Sequence, residues 1–510
     1  MTMSARVLMI QGTASSVGKS WLVAALCRIF ARRGWRVAPF KAQNMSNNAA
    51  VCPDGAEIGR AQALQARAAG ISPTADMNPI LLKPEADHKS QVVVLGRPWR
   101  TLQAGAYYRH KTELWSIVTA ALDRLRARYD LVIIEGAGSP AELNLKAGDI
   151  VNMAVAQYAR APVLLVGDID RGGIFAQLLG TLWLLEPEEQ RLVRGFIVNK
   201  FRGDPQLFTA GVHILEERSQ RPVLGIVPYI PDLFLPQEDA ATLPEATSRS
   251  TSRPALDIVV IHLPRIANFD DFDPLHAEPD VNVRFVAYPE EVGSPDALII
   301  PGSKSTVADL QWLHRTGWTD VIHRHVRRGG VVVGICGGYQ MLGKEIRDPE
   351  HVEAAEERVP GLGLLPIVTT FSREKATYQV QARVRGGPAW MAELAGESVT
   401  GYEIHMGQST SQHPWLEIVS RNGQPTRVLD GAVSADGRIW GCYLHGLFAN
   451  DTFRRAWLTA LRGASPPHRA ASSPFSADLL VERSLDRLAA VVEESLDIDA
   501  IEQLLEQPEL

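Results

Sequence analysis

RVLMIQGTASSVGKS, residues 6–20, begins with an apolar run and ends in a loop with glycine, serine and lysine, and residues 21–34, WLVAALCRIFARRG, follow it with amphipathic spacing. This order predicts a buried β-strand, a phosphate-binding loop and an α-helix. Backbone N–H groups of the loop and the helix N-terminus would bind phosphates, Lys19 would reach the terminal ones, and Ser20 would hold Mg²⁺. The alternative is a chance GKS triplet, but the strand and helix on either side favour a nucleotide site.

The spacing of this loop differs from the usual pattern, in which four residues separate the two glycines. Gly12 and Gly18 enclose five residues, and Thr13 stands where the first glycine is expected. A GTxxxxGKS loop resembles the dethiobiotin synthetase branch of phosphate-loop proteins. Partitioning ATPases of related fold carry an additional lysine at the position of Ala14. The loop residues that we expect at the nucleotide are Gly12, Thr13, Gly18, Lys19 and Ser20.

Three later segments repeat the order of buried strand followed by loop and helix, which predicts a doubly wound parallel sheet with ligands at its carboxyl edge. LVIIEGAG, residues 131–138, contains Glu135 at the strand end, where its carboxylate would be a second Mg²⁺ ligand. PVLLVGDIDRGG, residues 162–173, and FIVNKFRGD, residues 196–204, follow the same plan. Asn199 stands where several phosphate-loop families place a residue that recognises the base.

Polar loops after these strands supply candidates for binding an acceptor substrate. WRVAPFKAQNMSNN, residues 35–48, reads as a strand that runs into such a loop, and residues 139–152 form another loop ahead of an apolar helix. A solvated loop would have the same composition, so the residues alone leave both interpretations open. The acceptor-binding candidates are Lys41, Asn44, Asn47, Asp149 and Asn152.

The second half centres on VVVGICGGYQ, residues 331–340, which predicts a strand, a sharp turn and a helix start. Cys336 in such a turn would be an exposed nucleophile, and the helix N-terminus would favour its thiolate. Free cysteine is also a common small core residue, so a buried cysteine in an ordinary turn is the alternative. If Cys336 is the nucleophile, Tyr339 and Gln340 in the turn that follows are candidates for binding its substrate.

Two other stretches supply the remaining parts of a thiol hydrolase. DALIIPGSKST, residues 296–306, predicts a neighbouring parallel strand, so that the amides of Gly302 and Ser303, with that of Gly337, would bind an oxyanion. RIWGCYLHGLF, residues 438–448, predicts a strand that ends in a histidine, and His445 is therefore our candidate base. His405 in GYEIHMG is the competitor, in what we expect to be a substrate-side loop.

Bulk properties bound the class of protein. A chain of 510 residues with 45% hydrophobic and 22% charged residues predicts a soluble protein of several domains. A net charge of −6 gives no reason to expect nucleic acid, and no run is long and apolar enough for a membrane span. We see no export signal, and the four cysteines lack the spacing of a disulfide framework or a zinc site, so a cytoplasmic protein is expected.

The polar, proline- and serine-rich residues 236–254 predict a linker between two α/β domains, 1–235 and 255–463, and residues 464–510 predict a helical C-terminal tail. The tail has apolar residues at amphipathic spacing and would pack against the rest of the chain.

Both halves together resemble the cobyric acid synthase family of cobalamin-biosynthesis glutamine amidotransferases over nearly the full length. The motifs that carry this resemblance are GTASSVGKS, FKAQNMSNNA, EIGRAQALQA, EGAGSPAELNL, DIDRGG, NKFRGD, PGSKST, GICGGYQML, GYEIHMG and YLHGLF. The resemblance implies a dethiobiotin-synthetase-like domain that uses ATP and Mg²⁺, and a class I glutaminase-like domain. It implies that ammonia from glutamine amidates the b, d, e and g carboxylates of a corrinoid, adenosylcobyrinic acid a,c-diamide. The oligomeric state is left open.

Two differences from related families bear on function. Ordinary class I glutaminases carry a glutamate two residues after the histidine, where this chain has Leu447, so the group that orients His445 is open. Cobyrinic acid a,c-diamide synthases have two aspartates where Met45 and Asn48 stand, which separates this chain from them. A third interpretation is a partitioning-type switch ATPase with an inactive glutaminase-like domain, against which Ala14 and the intact Cys336 and His445 argue.

Overall fold

A computed structural model describes residues 5–86, 88–237, 256–463 and 476–506 of the chain. Most of the predicted linker, residues 238–254, lies outside these ranges, as do residues 464–475 of the predicted tail. Within them, no helix combines the length and the apolar character needed to cross a bilayer.

The first half contains twelve described strands and eight described helices. The strands are β1 Arg6–Gly12, β2 Val37–Phe40, β3 Gln43–Met45, β4 Ala49–Val51, β5 Glu57–Gly59, β6 Ile80–Ala86, β7 Lys89–Val94, β8 Arg97–Gln103, β9 Leu131–Glu135, β10 Val163–Asp168, β11 Val193–Phe201 and β12 Val223–Pro228. The helices are α1 Lys19–Arg32, α2 Arg60–Ala68, α3 Ala104–Tyr107, α4 Lys111–Arg128, α5 Met153–Ala159, α6 Ile174–Trp183, α7 Pro187–Leu192 and α8 Thr209–Ser219.

The described remainder continues the numbering. The strands are β13 Leu256–Ile261, β14 Ile266–Ala267, β15 Val281–Val286, β16 Ala297–Ile300, β17 Gly302–Ser303, β18 Val331–Ile335, β19 Glu345–Arg347, β20 Arg358–Pro360, β21 Val368–Val384, β22 Ser398–Thr410, β23 Leu416–Arg421, β24 Gln424–Asp430, β25 Ala432–Val433 and β26 Ile439–Cys442. The helices are α9 Asp273–His276, α10 Thr306–Arg315, α11 Trp318–Arg327, α12 Gly337–Met341, α13 Asp451–Leu461, α14 Ala477–Ser495 and α15 Ile498–Glu506.

The first domain is built on a parallel sheet in the order β12-β11-β10-β1-β9-β2. Alternate residues of each strand enter opposite cores; Met9 of β1, for example, lies in one cluster and Ile10 in the other. Helices therefore cover both faces, as in a doubly wound fold, and the predicted α/β class is confirmed. The carboxyl ends of the strands share one edge, where the phosphate loop lies.

A second sheet of the first domain, in the order β3-β6-β7-β8, forms a wall that faces both halves. Successive residues of a strand point to opposite faces. On β6, Leu82 packs in the core of the first domain, whereas Leu81 packs with Ile404 of the second domain. On β7, Val92 and Val93 divide in the same way. The hairpin of β6 and β7 therefore lies between the core of the first domain and the second domain.

The second domain contains a sheet in the order β15-β13-β16-β18-β26-β25, parallel except for its last pair. Strands β16 and β18 are adjacent and parallel, as we predicted, so their following turns share one edge. Beside this sheet lies one of β19 to β24, antiparallel except for the pair of β19 and β21, which the sequence reasoning did not foresee. GYEIHMG is part of its strand β22 and is not a loop.

The C-terminal helices pack on the first domain. Leu485, Leu488 and Val492 of α14 join the core cluster that contains α1. Asp486 lies 2.6 Å from the guanidinium of Arg28 on α1. The chain thus returns to its first helix, a contact that the amphipathic pattern alone could not identify.

Candidate active sites

The phosphate loop has the geometry that its sequence predicts. Gly18 precedes α1 with φ of +102°, a value that a side chain would strain. The Nζ of Lys19 donates to the carbonyls of Ala14 at 2.9 Å and Gly138 at 3.1 Å and is thereby held across the loop. Thr13 donates from Oγ1 to Gln177. A Cβ on Gly12 would lie 3.0 Å from Nζ of Lys19, so the close packing of the loop explains the first glycine.

Glu135 lies at the end of β9 beside the phosphate loop, and its side chain is 1% exposed. Its Oε1 accepts from Oγ of Ser20 at 2.9 Å and pairs with Nζ of Lys41 at 2.9 Å. Its Oε2 accepts from Nε2 of Gln65 on α2 at 2.6 Å. The two predicted Mg²⁺ ligands are therefore neighbours, and Lys41, predicted at the acceptor, lies at this carboxylate.

Asn199 has a different contact from the predicted one. Its Nδ2 donates to the carbonyl of Val17 at 2.8 Å, so the side chain braces the phosphate loop and does not line the cavity at the loop. The next residue, Lys200, lines that cavity, and its Nζ contacts the carbonyl of Ser16 at 2.6 Å and Asp168 at 2.8 Å. Lys200 is a functional candidate that its place beside Asn199 could have suggested.

Two cavities meet at the edge of the parallel sheet. The loop cavity, about 670 Å³, is lined by Gly18, Lys19, Ser20 and Glu135. The apolar cavity, about 600 Å³, is lined by one face of β6 and β7 and by the loop before α5. The residues that line both are Met45, Ala137 and Gly138. Ligands in the two cavities would thus be in contact range.

The acceptor candidates are divided among these places. Lys41 and Asn44 line the loop cavity, where Nδ2 of Asn44 donates to Gln62 at 3.1 Å. Asp149 and Asn152 line the apolar cavity, but both also hold backbone. Asp149 accepts from the N–H groups that start α5, and Asn152 bonds Ala137 through both amide atoms. Asn47 lines neither cavity.

Cys336 lies in a strained turn between β18 and α12, with φ of +50° and ψ of −108°. Such values are rare for a residue with a side chain and are typical of a nucleophile elbow. A Cβ on Gly338 would overlap the carbonyl of Ile300, so this glycine is required for close packing. The Sγ of Cys336 lies 3.6 Å from the carbonyl of Ile404 and faces a thiol cavity of about 50 Å³.

His445 follows β26 and lines the same thiol cavity. Its Nδ1 donates to Oδ2 of Asp271 at 2.6 Å, and its ring stacks on Tyr402 with centroids 5.1 Å apart. Burial lowers the pKa of His445, but the charges of Asp271 and Cys336 outweigh burial and raise it to about 10. A protonated His445 beside Cys336 favours the thiolate.

Asn268 bonds to the other ring nitrogen of His445. The backbone N–H of Ala49, in the first domain, donates to Oδ1 of Asn268 at 3.0 Å. Because a backbone N–H can only donate, the amide presents Nδ2 to Nε2 of His445, 3.3 Å away. This contact favours an unprotonated Nε2, and it therefore acts against the rise in the pKa of His445 that Asp271 causes.

Arg60, the first residue of α2, reaches the same site from the first domain. Its Nε lies 2.9 Å from Oδ2 of Asp270, and its guanidinium contacts the hydroxyl and ring face of Tyr402. Since Gln65 on the same helix bonds to Glu135, α2 touches both candidate sites.

The other predicted glutaminase residues are only partly brought together. Gly302, Ser303 and Gln340 line the thiol cavity, and a Cβ on Gly337 would lie 3.0 Å from the backbone N of Ser303. Gln340 donates from Nε2 to Met406 at 2.8 Å, which holds β22 in place. Tyr339 is 1% exposed, packs on Tyr443 in the core and does not line the cavity.

His405, the competing histidine, also lines the thiol cavity. Its ring stacks on Tyr443 with centroids 3.8 Å apart, and its nitrogens contact Glu403 and the carbonyl of Gly407. The distance from His405 to Glu403 is 3.4 Å, longer than the 2.6 Å between His445 and Asp271, so the geometry favours His445 as the base.

Sequence reasoning missed Asp271, Asn268 and Arg60. The first two lie in IANFDDFDP, a polar run that follows β13, whose carboxyl end shares an edge with β16 and β18. Polar residues at that edge were the available signal.

Two family models match the chain in tandem. The CobQ/CobB/MinD/ParA nucleotide binding domain covers residues 8–242, and the CobB/CobQ-like glutamine amidotransferase domain covers residues 257–453. With the fold and the thiol site, these matches define a glutamine-dependent amidotransferase of the ligase class.

Curated relatives narrow the class. The cobyric acid synthase of Chloroflexus aurantiacus is 56% identical over 495 residues, which cover 96% of this chain and 98% of the relative. That of Roseiflexus castenholzii is 58% identical over 462 residues, 90% and 92% of the two chains, and that of Herpetosiphon aurantiacus is 54% identical over 507 residues, 99% of both. The chain belongs to the cobyric acid synthase family.

Proposed function

We propose that this enzyme uses ATP, Mg²⁺ and glutamine to amidate the b, d, e and g carboxylates of adenosylcobyrinic acid a,c-diamide, giving adenosylcobyric acid. The observation that carries the proposal is that one chain of this family combines two features. One is a phosphate-loop cavity that adjoins a second cavity, and the other is the site formed by Cys336 and His445. The absence of disulfides among the described cysteines is consistent with a cytoplasmic setting, which we propose for the reaction.

In the second domain, the thiolate of Cys336 attacks the carboxamide carbon of glutamine. The amides near Gly302, Ser303 and Gly337 stabilise the oxyanion, and His445 gives a proton to the departing ammonia. Water then attacks the thioester, with His445 as base, and releases glutamate. Asp271 holds the proton on Nδ1 of His445, so that Nε2 is the nitrogen that exchanges a proton with Cys336.

In the first domain, ATP phosphorylates a carboxylate of the acceptor, and ammonia displaces phosphate from the acyl phosphate. Lys19 and Lys200 supply positive charge at the loop cavity. Ser20 and Glu135 fit Mg²⁺ because hydroxyl and carboxylate oxygens are its preferred ligands, with phosphates and water completing the shell. Bound Mg²⁺ would neutralise the phosphate charge that develops during transfer.

We place the corrinoid in the apolar cavity. Its wall combines apolar side chains such as Leu82 and Val92 with the polar candidates Asp149 and Asn152. It adjoins the loop cavity through Met45, so a carboxylate held there would face the terminal phosphate of a bound nucleotide.

The direct test is mass spectrometry of the corrinoid a,c-diamide after incubation with the enzyme, ATP, Mg²⁺ and glutamine. We expect the mass changes of successive amidations, and their absence would refute the proposal. Cys336→Ser should abolish amidation from glutamine while high free ammonium still supports it. Loss of both activities in a folded variant would contradict the division of labour between the domains.

The rival function is a switch ATPase with an inactive glutaminase-like domain, and it requires no particular geometry at Cys336 and His445. Cys336 instead has a strained backbone, and His445 has a buried carboxylate partner. Release of glutamate from glutamine separates the two functions, because the rival predicts none.

A further inference from the structure

Two polar side chains of the first domain face the thiol cavity of the second. Lys83 on β6 and Gln91 on β7 are directly opposed partners in the hairpin, and both line that cavity. They lie on the face that also carries Leu81 and Val93, the residues that pack with Ile404. The first domain therefore forms part of the wall around the candidate nucleophile of the second domain.

The charged cluster around Lys83 contains two ammonium groups for one carboxylate. Buried Glu57 lies 2.5 Å from Nζ of Lys83 and 2.5 Å from Nζ of Lys375, a residue of the second domain that also lines the cavity. Lys304, the third lysine at the cavity, has its own partner in Glu85 at 2.9 Å. Burial lowers the pKa of Lys375 to about 8, and although the charge of Glu57 opposes this, the charge of Lys83 adds to it. An excess of buried positive charge is unfavourable without a further anion, so this part of the cavity favours an anionic group of a ligand.

Gln91 offers the opposite chemistry. It is 9% exposed, and among the described residues its buried Oε1 has no hydrogen-bond partner. A buried acceptor without a donor is unfavourable, so this oxygen fits a ligand group that donates hydrogen bonds. Glu353 lines the same cavity from the second domain, where its Oε2 accepts from the N–H of Val307 at 3.2 Å. A donor group that carries positive charge suits both acceptors.

A free α-amino acid has both of these groups on one carbon atom. Its carboxylate and its ammonium group are attached to the same Cα, and opposed residues of an antiparallel pair have Cβ atoms only about 4.5–5.5 Å apart. Lys83 and Gln91 can therefore bind both groups of one molecule. Glutamine, the ammonia donor of the proposed function, is such a molecule, and its carboxamide would lie at Cys336 in the same cavity.

We propose that Lys83 binds the α-carboxylate of glutamine and Gln91 its α-ammonium group, so that the first domain completes the substrate site of the second. This inference rests on the proposed function. The described cavity is small, about 50 Å³, so entry of glutamine displaces the flexible ends of side chains at its wall, such as those of Lys83, Gln91 and Lys375. A glutamine residue within a peptide has amide bonds in place of both charged groups, so the pair also selects the free amino acid.

The test compares glutamine with two analogues that keep its carboxamide. Glutaramate lacks the α-amino group and 4-aminobutanamide lacks the α-carboxylate, and ammonia release by the full-length enzyme measures kcat and KM for each. In Lys83→Met, we expect the KM for glutamine to rise about tenfold or more, the equivalent of one lost hydrogen bond to a charged group, with kcat unchanged. The same variant should hydrolyse 4-aminobutanamide as the wild type does, because the group that Lys83 binds is absent.

Gln91→Leu is the second variant, and it removes an acceptor that no described donor contacts. It should raise the KM for glutamine and leave kcat/KM for glutaramate at the wild-type value. In either variant, a fall in kcat/KM that is equal for glutamine and the matching analogue would show a structural role and overturn the proposal. An unchanged KM for glutamine would overturn it as well.

Gln379→Ala is the matched control. Its Nε2 donates at 2.8 Å to the carbonyl of Val51, also between the domains, but Gln379 does not line the thiol cavity. The control should keep the wild-type KM for glutamine, and a rise equal to that of the test variants would count against the proposal. Failure of the proposed function is distinguishable, because the wild-type enzyme would then form no amide from the corrinoid a,c-diamide, whereas ammonia release is compared among the variants without the corrinoid.

Discussion

Oδ2 of Asp271 and Nδ1 of His445 are 2.6 Å apart, and the other carboxylate oxygen of Asp271 accepts from the N–H of Gly446 at 2.8 Å. The carboxylate is held from two sides, so the proton of the ring stays on Nδ1. The acid missing at Leu447 is thus supplied from a position 174 residues earlier in the chain. This answers which group orients the candidate base.

Asp271→Asn should lower glutamine hydrolysis about a hundredfold or more, as loss of the correct tautomer does in other triads. The N–H of Gly446 needs an acceptor, so the new amide would turn its N–H₂ group toward His445 and move the ring proton to Nε2. Glutamate release measures the effect, and ammonium-driven amidation reports whether the fold is intact. Near wild-type hydrolysis would remove Asp271 from the mechanism.

The same pair makes the stability of the fold depend on pH. Burial lowers the pKa of His445, but the charges of Asp271 and Cys336 outweigh burial and raise it from an ordinary value of 6.5 to about 10 in the folded state. The pair therefore stabilises the fold fully below pH 6.5 and loses that contribution as the pH rises through 10. Urea unfolding of wild type and Asp271→Asn should show a difference in unfolding free energy that shrinks across this window. A difference independent of pH would contradict it.

Lys19→Ala should lower the rate of amidation about a hundredfold or more, because a positioned donor to the phosphates is lost. The loss should be the same with glutamine and with free ammonium. Glutamate release should persist, since the carbonyls of Ala14 and Gly138, to which Lys19 donates, both belong to the first domain. Arg36→Ala, which removes an exposed charge of the same domain, is the control and should leave amidation unchanged. Unchanged amidation in Lys19→Ala would remove the phosphate-loop assignment.

Arg60→Met should lower the unfolding free energy by about 3 kcal/mol or more, because it leaves the buried carboxylate of Asp270 without its partner. Burial raises the pKa of Asp270 even with Arg60 present. Adding Asp270→Asn to Arg60→Met removes the unpaired charge and should recover part of the loss in chemical denaturation. If the double variant is no more stable than the single one, the pair is not the cause.

The parts that the sequence predicted are those set by short stretches. The phosphate loop, the elbow at Cys336 and the strand end at His445 each depend on neighbouring residues whose size and periodicity determine the turn. The adjacency of β16 and β18 followed from the alternation of strands and helices. Such features can be inferred before any tertiary contact is known.

The remaining contacts join residues far apart in the chain, so no local pattern reveals them. Asp271 meets His445 in the second domain, and Lys41 meets Glu135 where β2 lies beside β9 in the first domain. The use of Asn199 as a brace for the phosphate loop could not be told from base recognition, because both place it at the same strand end. The two faces of the hairpin of β6 and β7 likewise pack on different domains, one on the core of the first and the other on the second.

Helix α2 sets a fixed length between the two reactions. Arg60 contacts the surroundings of His445, and Gln65 contacts Glu135 and the carbonyl of Ser20. These positions are about 7.5 Å apart along the helix axis, and one inserted residue would turn one end by about 100° relative to the other. The helix cannot gain or lose a residue between them without detaching one site. The five-residue step from Arg60 to Gln65 therefore fixes the spacing between the two active centres.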